Sequence, residues 1–315
     1  MKHFKIISNG VKKTHIVKPI FIIGSGRSGT TILYNLLSVH PELCWFSNYT
    51  DILPRLPYLA VIHNVLDLPF VGEKMKKSIL KKKPAKLAIL PDEAQKIYHN
   101  YCKFEHRKKT TEHDLTGDIE YRLKKTISIH LKSTGKKRFL SKQTANTQRI
   151  RIIHKMFPDA YFIHGIRDGR AVANSLYHVK FWNNMDIWWL GEKPSAWKKA
   201  GKEPIELCGL HWKKNLEEIF INKHLFENRY IEVKYEDLAR STKKTIKKIA
   251  EFCELSYPKR FNDMIPSSLQ IMNYKWTKEL SNYEINVLNN KLKDFLEKLG
   301  YKTQSPQVGT WEKAN

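Results

Sequence analysis

Residues Pro19–Val39 read PIFIIGSGRSGTTILYNLLSV. An apolar run (Ile20, Phe21, Ile22, Ile23) enters a loop of glycines and small residues. A stretch with Leu33, Leu36 and Leu37 on one helical stripe then leaves it. The spacing is that of a phosphate-binding loop, G-x-x-x-x-G-K-[ST], with one change. Gly24 and Gly29 hold the glycine positions and Thr31 the hydroxyl, but Thr30 stands where the template has lysine. Backbone amides at a helix N-terminus still form an anion cradle. What is missing is the cation that reaches the β- and γ-phosphates of a nucleoside triphosphate, and Arg27 at the loop's tip is the basic residue present instead. The loop therefore predicts a phosphate-ester ligand other than ATP or GTP.

A second segment, Asp159–Lys180, reads DAYFIHGIRDGRAVANSLYHVK. It is another short apolar strand, followed by Arg167, a turn at Asp168-Gly169-Arg170 and a helix carrying Ser175. Together the two segments resemble the sulfotransferases that use 3′-phosphoadenosine 5′-phosphosulfate (PAPS), in particular the tyrosylprotein-sulfotransferase-like and bacterial branch. Arg27, Ser28, Gly29, Thr30 and Thr31 match that family's 5′-phosphosulfate motif, and Arg167 with Ser175 eight residues on matches its 3′-phosphate motif. Ser141–Ile150 (SKQTANTQRI) resembles the K-x-x-x-N element, which makes Lys142 the active-site lysine. Ile231–Leu238 (IEVKYEDL) resembles the later strand of the family and contributes Tyr235.

The resemblance implies a P-loop-NTPase-like parallel α/β sheet flanked by helices, with PAPS as donor and no metal. The donor would be held by Ser25, Gly26, Arg27, Ser28, Gly29, Thr30, Thr31, Arg167, Ser175, Tyr235 and Lys275. Lys275 lies in Pro266–Lys278, where the family folds a loop over the 3′-phosphate. Sulfuryl transfer relies on positioning and charge stabilisation, so cations at Arg27 and Lys142 suit it. Two other readings of the degenerate loop remain: a small-molecule kinase, and a non-catalytic basic nucleotide- or nucleic-acid-binding protein.

The sequence departs from the family at the general base. Where the tyrosylprotein branch supplies a proton acceptor beyond the first helix, this chain has Asn48, which has no useful basicity. Asp51 is the candidate base, with a helix-capping role as its alternative. His40, an easily deprotonated acceptor, or a base from the following insertion are the other possibilities.

The chain's 315 residues suffice for one α/β domain: a core at about 19–50 and 140–300, and a mainly helical insertion at about 51–139 broken by prolines. Residues 1–18 read as a leading strand and linker. Residues 177–206 carry Trp182, Trp188, Trp189 and Trp197 with little periodicity, as expected of a lid, an acceptor loop or an auxiliary core. Ser281 and Glu284 form a capping-box signature ahead of a last helix that Gly300 stops. Four scattered cysteines suggest reduced, buried thiols, and the 13 histidines show no metal-ligand pattern.

No apolar run nears the ~20 residues of a membrane span, and the N-terminus lacks a signal-peptide core; the expectation is a cytoplasmic protein. The formal net charge of +25, with basic residues clustered at Lys74–Lys86, His106–Lys109, Lys132–Arg138 and Lys243–Lys248, reads first as a solvated lysine-rich surface, then as one that steers an anionic donor or acceptor or binds nucleic acid or an anionic membrane face. No nucleic-acid-binding motif accompanies it. The acceptor class stays open: small molecule, glycan, lipid or peptide.

Overall fold

The computed structural model describes residues 16–81, 86–104 and 109–303. The expected leading strand falls almost wholly outside them. Five parallel strands form the centre: β1 (Ile20–Ile23), β2 (Leu43–Cys44), β3 (Arg138–Lys142), β4 (Tyr161–Ile166) and β5 (Tyr230–Lys234). Their order is β2-β3-β1-β4-β5. Every β1 residue is buried, as a central strand covered on both faces requires. Its side chains alternate between two cores. Ile20 and Ile22 join Leu140 and Ile163 on one side, while Phe21 and Ile23 join Phe139 and Phe162 on the other.

The chain leaves β1 to build β2 and β3 on one side, then returns to add β4 and β5 on the other. β1 is thus the point where strand order reverses, and the crevice beyond its carboxyl end is where open α/β sheets bind ligands. The registers Ile22↔Lys142 and Ile23↔His164 bring the ends of β3 and β4 level with the cradle.

Several expectations are met closely. A short helix spans Ile150–Met156, and the expected Ser281–Glu284 capping box opens the helix Asn282–Lys298. The four cysteines are free and buried. Others need correction. Lys142 ends β3, which begins at Arg138, two residues inside the expected insertion. The insertion's prolines act differently from simple breaks: Pro57 opens a 3₁₀ segment, Pro57–Asp67, because its fixed φ suits a first helical turn. Pro204 likewise opens the helix Pro204–Asn222. Among the described residues no helix is long and apolar enough to cross a membrane.

Candidate active site

The loop Gly24–Gly29 turns sharply enough to present its amides because of two glycines. Gly24 has φ +140°, and a Cβ there would lie 2.5 Å from the Gly165 carbonyl oxygen. Gly29 has φ +81°, and a Cβ there would lie 2.6 Å from the Tyr235 ring. Gly29 is also the N-terminal boundary of the helix Thr30–Ser38, which no side chain caps. Its first amides are therefore left to a ligand. Arg27 adopts φ +70° without being glycine, a conformation that costs about 1–2 kcal/mol. Ser28 Oγ is buried with no hydrogen-bond partner. A strained arginine, an uncapped helix start and an orphaned hydroxyl in one loop fit an anionic group.

A cavity of about 1170 Å³ opens above this loop. It is lined by Gly26, Arg27, Gly29, Thr30 and Thr31 from the cradle, with Lys142, Arg167, Ser175, Tyr235, Lys275 and Asp51. All but two of the residues read from the sequence thus meet at one site. Ser25 and Ser28 are the two; both are buried and neither lines the cavity. Thr147, unnoticed in the sequence, holds the loop's entrance: its hydroxyl accepts from Gly24 N–H (3.1 Å) and donates to Gly24 C=O (3.2 Å).

Lys142 is 3% exposed. Its Nζ donates to Thr31 Oγ1 at 3.0 Å and pairs with the Glu93 carboxylate. Arg27 Nε donates to Ser175 Oγ at 2.9 Å, which links the loop after β1 directly to the helix after β4. Arg167 is more firmly held. It donates to Asn273 Oδ1 (2.9 Å), the Met272 carbonyl (2.7 Å) and the Arg27 carbonyl (3.0 Å), and its guanidinium lies 4.4 Å from the Tyr235 ring centre. Burial pulls its pKa down, yet a guanidinium remains charged. Tyr235 therefore sits between the Gly29 turn and Arg167, bracing both. The turn at Asp168 is structural: its carboxylate caps Arg170 N–H and pairs with the Arg170 guanidinium, both residues being buried.

On its acidic side the cavity is lined by Asp51, Asp92 and Glu93. Asp51 Oδ1 accepts two backbone amides, Lys96 N–H (2.8 Å) and Ile97 N–H (3.1 Å), at the start of the helix Gln95–Cys102. The carboxylate beside Lys142 is instead Glu93, which also accepts from Thr144 N–H at 3.3 Å. Asp92 precedes it, and burial, reinforced by Asp51 and Glu93, pushes its carboxyl above the usual range.

Asn48 explains how Glu93 arrives. Its side chain accepts from Leu90 N–H (3.0 Å) and donates to the Ala88 carbonyl (3.1 Å), while its own N–H donates to the Leu90 carbonyl (3.0 Å). Asp92 N–H donates to the Phe46 carbonyl at 2.8 Å. The residue found where a base was expected thus clamps a distant segment that carries a carboxylate into the cavity. Residues 91–94, PDEA, carry no helix or strand periodicity, so the sequence offered no signal for this pairing.

Of the four tryptophans, Trp182 is core, Trp197 donates to the Glu203 carbonyl and Trp189 donates to His211 Nδ1 (3.3 Å). Only Trp188 among them lines the cavity. His211 also lines it; burial pushes its pKa down to about 4. Because an indole N–H can only donate, His211 Nδ1 is the acceptor and Nε2 carries the proton of the neutral ring. Neither ring nitrogen is then free to act as a base.

The solved structures similar to this chain include sulfotransferase STF9 from Mycobacterium avium, with a TM-score of 0.60, 14% identity, and coverage of 93% of this chain and 79% of that one. Another is the sulfotransferase domain from the curacin biosynthetic pathway, at TM-score 0.54 and 13% identity, covering 91% of this chain and 99% of that one. A curated relative, an uncharacterized protein of Aquifex aeolicus, is 24% identical over 250 residues. That match covers 77% of this chain but only 26% of the longer relative. The sulfotransferase family model matches residues 19–259, the span holding β1–β5, the cradle, Glu93 and Lys142, and the chain belongs to the sulfotransferase family.

Proposed function

We propose that this chain is a PAPS-dependent sulfotransferase, acting by in-line displacement on a hydroxyl or amine acceptor. It would act as one catalytic domain in the cytoplasm. The observation that carries the reading is Lys142: a buried ammonium bonded to the cradle's Thr31 on one side and to the Glu93 carboxylate on the other. Bound here, PAPS supplies the sulfuryl group and departs as adenosine 3′,5′-bisphosphate. The free cradle amides at the start of the helix Thr30–Ser38, with Arg27, hold the 5′ end. Arg167, Ser175 and Lys275 hold the 3′-phosphate, and Tyr235 keeps Arg167 and the Gly29 turn in place.

An anion in the cradle competes with Glu93 for the Lys142 ammonium. Lys142 then neutralises charge growing on the leaving oxygen, and the released Glu93 carboxylate accepts the acceptor's proton. Asp51 is left as a cap that fixes the helix following Glu93. Thermal unfolding with ligands tests the donor. Adenosine 3′,5′-bisphosphate should raise the melting temperature more than ATP with Mg²⁺ does, since only ligands selective for the folded state stabilise it. Equal or greater stabilisation by ATP with Mg²⁺ would favour the kinase reading.

A further inference from the structure

We propose that the face built by residues 52–71, with the lysines that follow it, docks on an anionic lipid bilayer. Eight of the large apolar side chains exposed on the described surface fall within this one stretch, among them Ile52, Leu53, Leu56, Tyr58, Leu68 and Phe70. Buried residues Ala60, His63 and Leu66 recur every third position, so the 3₁₀ segment turns one edge to the core and leaves Tyr58 and Val61 outward. Its tip is extreme. Phe70 is 89% exposed and is held at φ +58°, a strained conformation for a bulky residue. Monomeric proteins seldom expose so continuous an apolar run unless it meets something.

The neighbouring charge selects the partner. Between residues 52 and 87 the sequence has Arg55, Lys74, Lys76, Lys77, Lys81, Lys82, Lys83 and Lys86 against only Asp67 and Glu73. Both acids are already paired, Asp67 with Lys76 and Lys136, and Glu73 with Lys77. Arg55, Lys74, Lys81 and Lys86 are exposed. Protruding aliphatic and aromatic groups beside unneutralised lysines complement the boundary between acyl chains and anionic headgroups. A second copy of the chain would bring the same positive charge against itself, and a nucleic acid would leave the apolar tip unmatched. The face begins at the cavity's rim, since Asp51 and the exposed Ile32 both line the cavity.

The test needs neither donor nor acceptor, so its outcome is independent of the transfer reading. The full chain is sedimented with phosphatidylcholine vesicles, with and without phosphatidylglycerol. It should pellet with the anionic vesicles, not with the neutral ones, and be released by high salt. The double variant Leu68→Ser, Phe70→Ser should bind the anionic vesicles at least about tenfold more weakly with an unchanged melting temperature. Lys74→Glu with Lys81→Glu should weaken binding similarly. Phe70→Trp should show a blue-shifted emission component on anionic vesicles alone. No binding at low salt, or full binding by the serine variant, would overturn the proposal. So would a dimer that the serine variant dissolves in the absence of any vesicle binding, which would make the face a protein contact.

Discussion

The two ends of the cavity are built by different means. The cradle is contiguous: eight residues from Gly24 to Thr31 supply the turn, the amides, a cation and a hydroxyl, and two glycines fix their shape. The carboxylate end is assembled across the chain. Asn48 holds Ala88 and Leu90, Asp51 caps the helix that starts at Gln95, and Glu93 between them reaches Lys142 at the end of β3. A loop encoded in one segment tolerates change around it. A group delivered by long-range hydrogen bonds is only as well placed as its clamps, and small errors of position are expensive in catalysis.

The sharpest way to break this comparison is Glu93→Gln. It keeps shape and most hydrogen bonding but removes basicity, so kcat should fall about 10²–10⁴-fold while bisphosphate affinity stays nearly unchanged. Asp51→Asn, which retains a capping oxygen, should leave kcat close to normal. If the two variants exchange behaviour, Asp51 is the base and the assignment of the carboxylate end is wrong.

Arg167→Ala probes the other end. Loss of charge-assisted hydrogen bonds worth about 1.5–3 kcal/mol should weaken bisphosphate binding roughly ten- to a hundredfold, read by calorimetry. Because Arg167 also holds the Arg27 and Met272 carbonyls, its loss should lower the melting temperature too. Lys142→Ala should do the reverse in kinetics, reducing the rate far more than donor binding.

Asn48→Ala tests the clamp itself. With Leu90 N–H and the Ala88 carbonyl released, kcat should drop by about tenfold and donor affinity should hold, since the cradle is untouched. A normal rate would show that Asp51 and the Asp92–Phe46 bond position Glu93 without Asn48.

The smallest effect concerns pH. Burial pushes His63 down to about 3 and His130, His164 and His211 to about 4, all from 6.5. Below 6.5 an unfolded chain takes up protons that the folded one refuses, so their contribution to stability is complete above 6.5 and is lost as the pH falls toward 4. Asp92 and Glu236, raised by burial, act in the opposite sense but are fewer. The melting temperature should therefore decline steadily across this interval; a flat profile would show that these rings are hydrated.

What could be read in the sequence follows from range. The β1 run, the Gly24–Gly29 spacing, the Arg167-to-Ser175 interval and the Ser281–Glu284 cap are each fixed by neighbours within a few residues, and backbone geometry makes such patterns legible. That Lys142 lines the cavity accords with its K-x-x-x-N spacing, but its place at the end of β3 left no signal, because Arg138–Lys142 alternates weakly. Sequence by itself thus determined a parallel α/β sheet whose first strand enters a glycine-bounded loop lacking the P-loop lysine. Tertiary structure alone decided which carboxylate meets Lys142. Asn48, Asp51 and Glu93 are 45 residues apart at the extremes, and their roles were set by hydrogen bonds between backbone segments, which any side chain sequence can carry and which therefore leave no periodic trace.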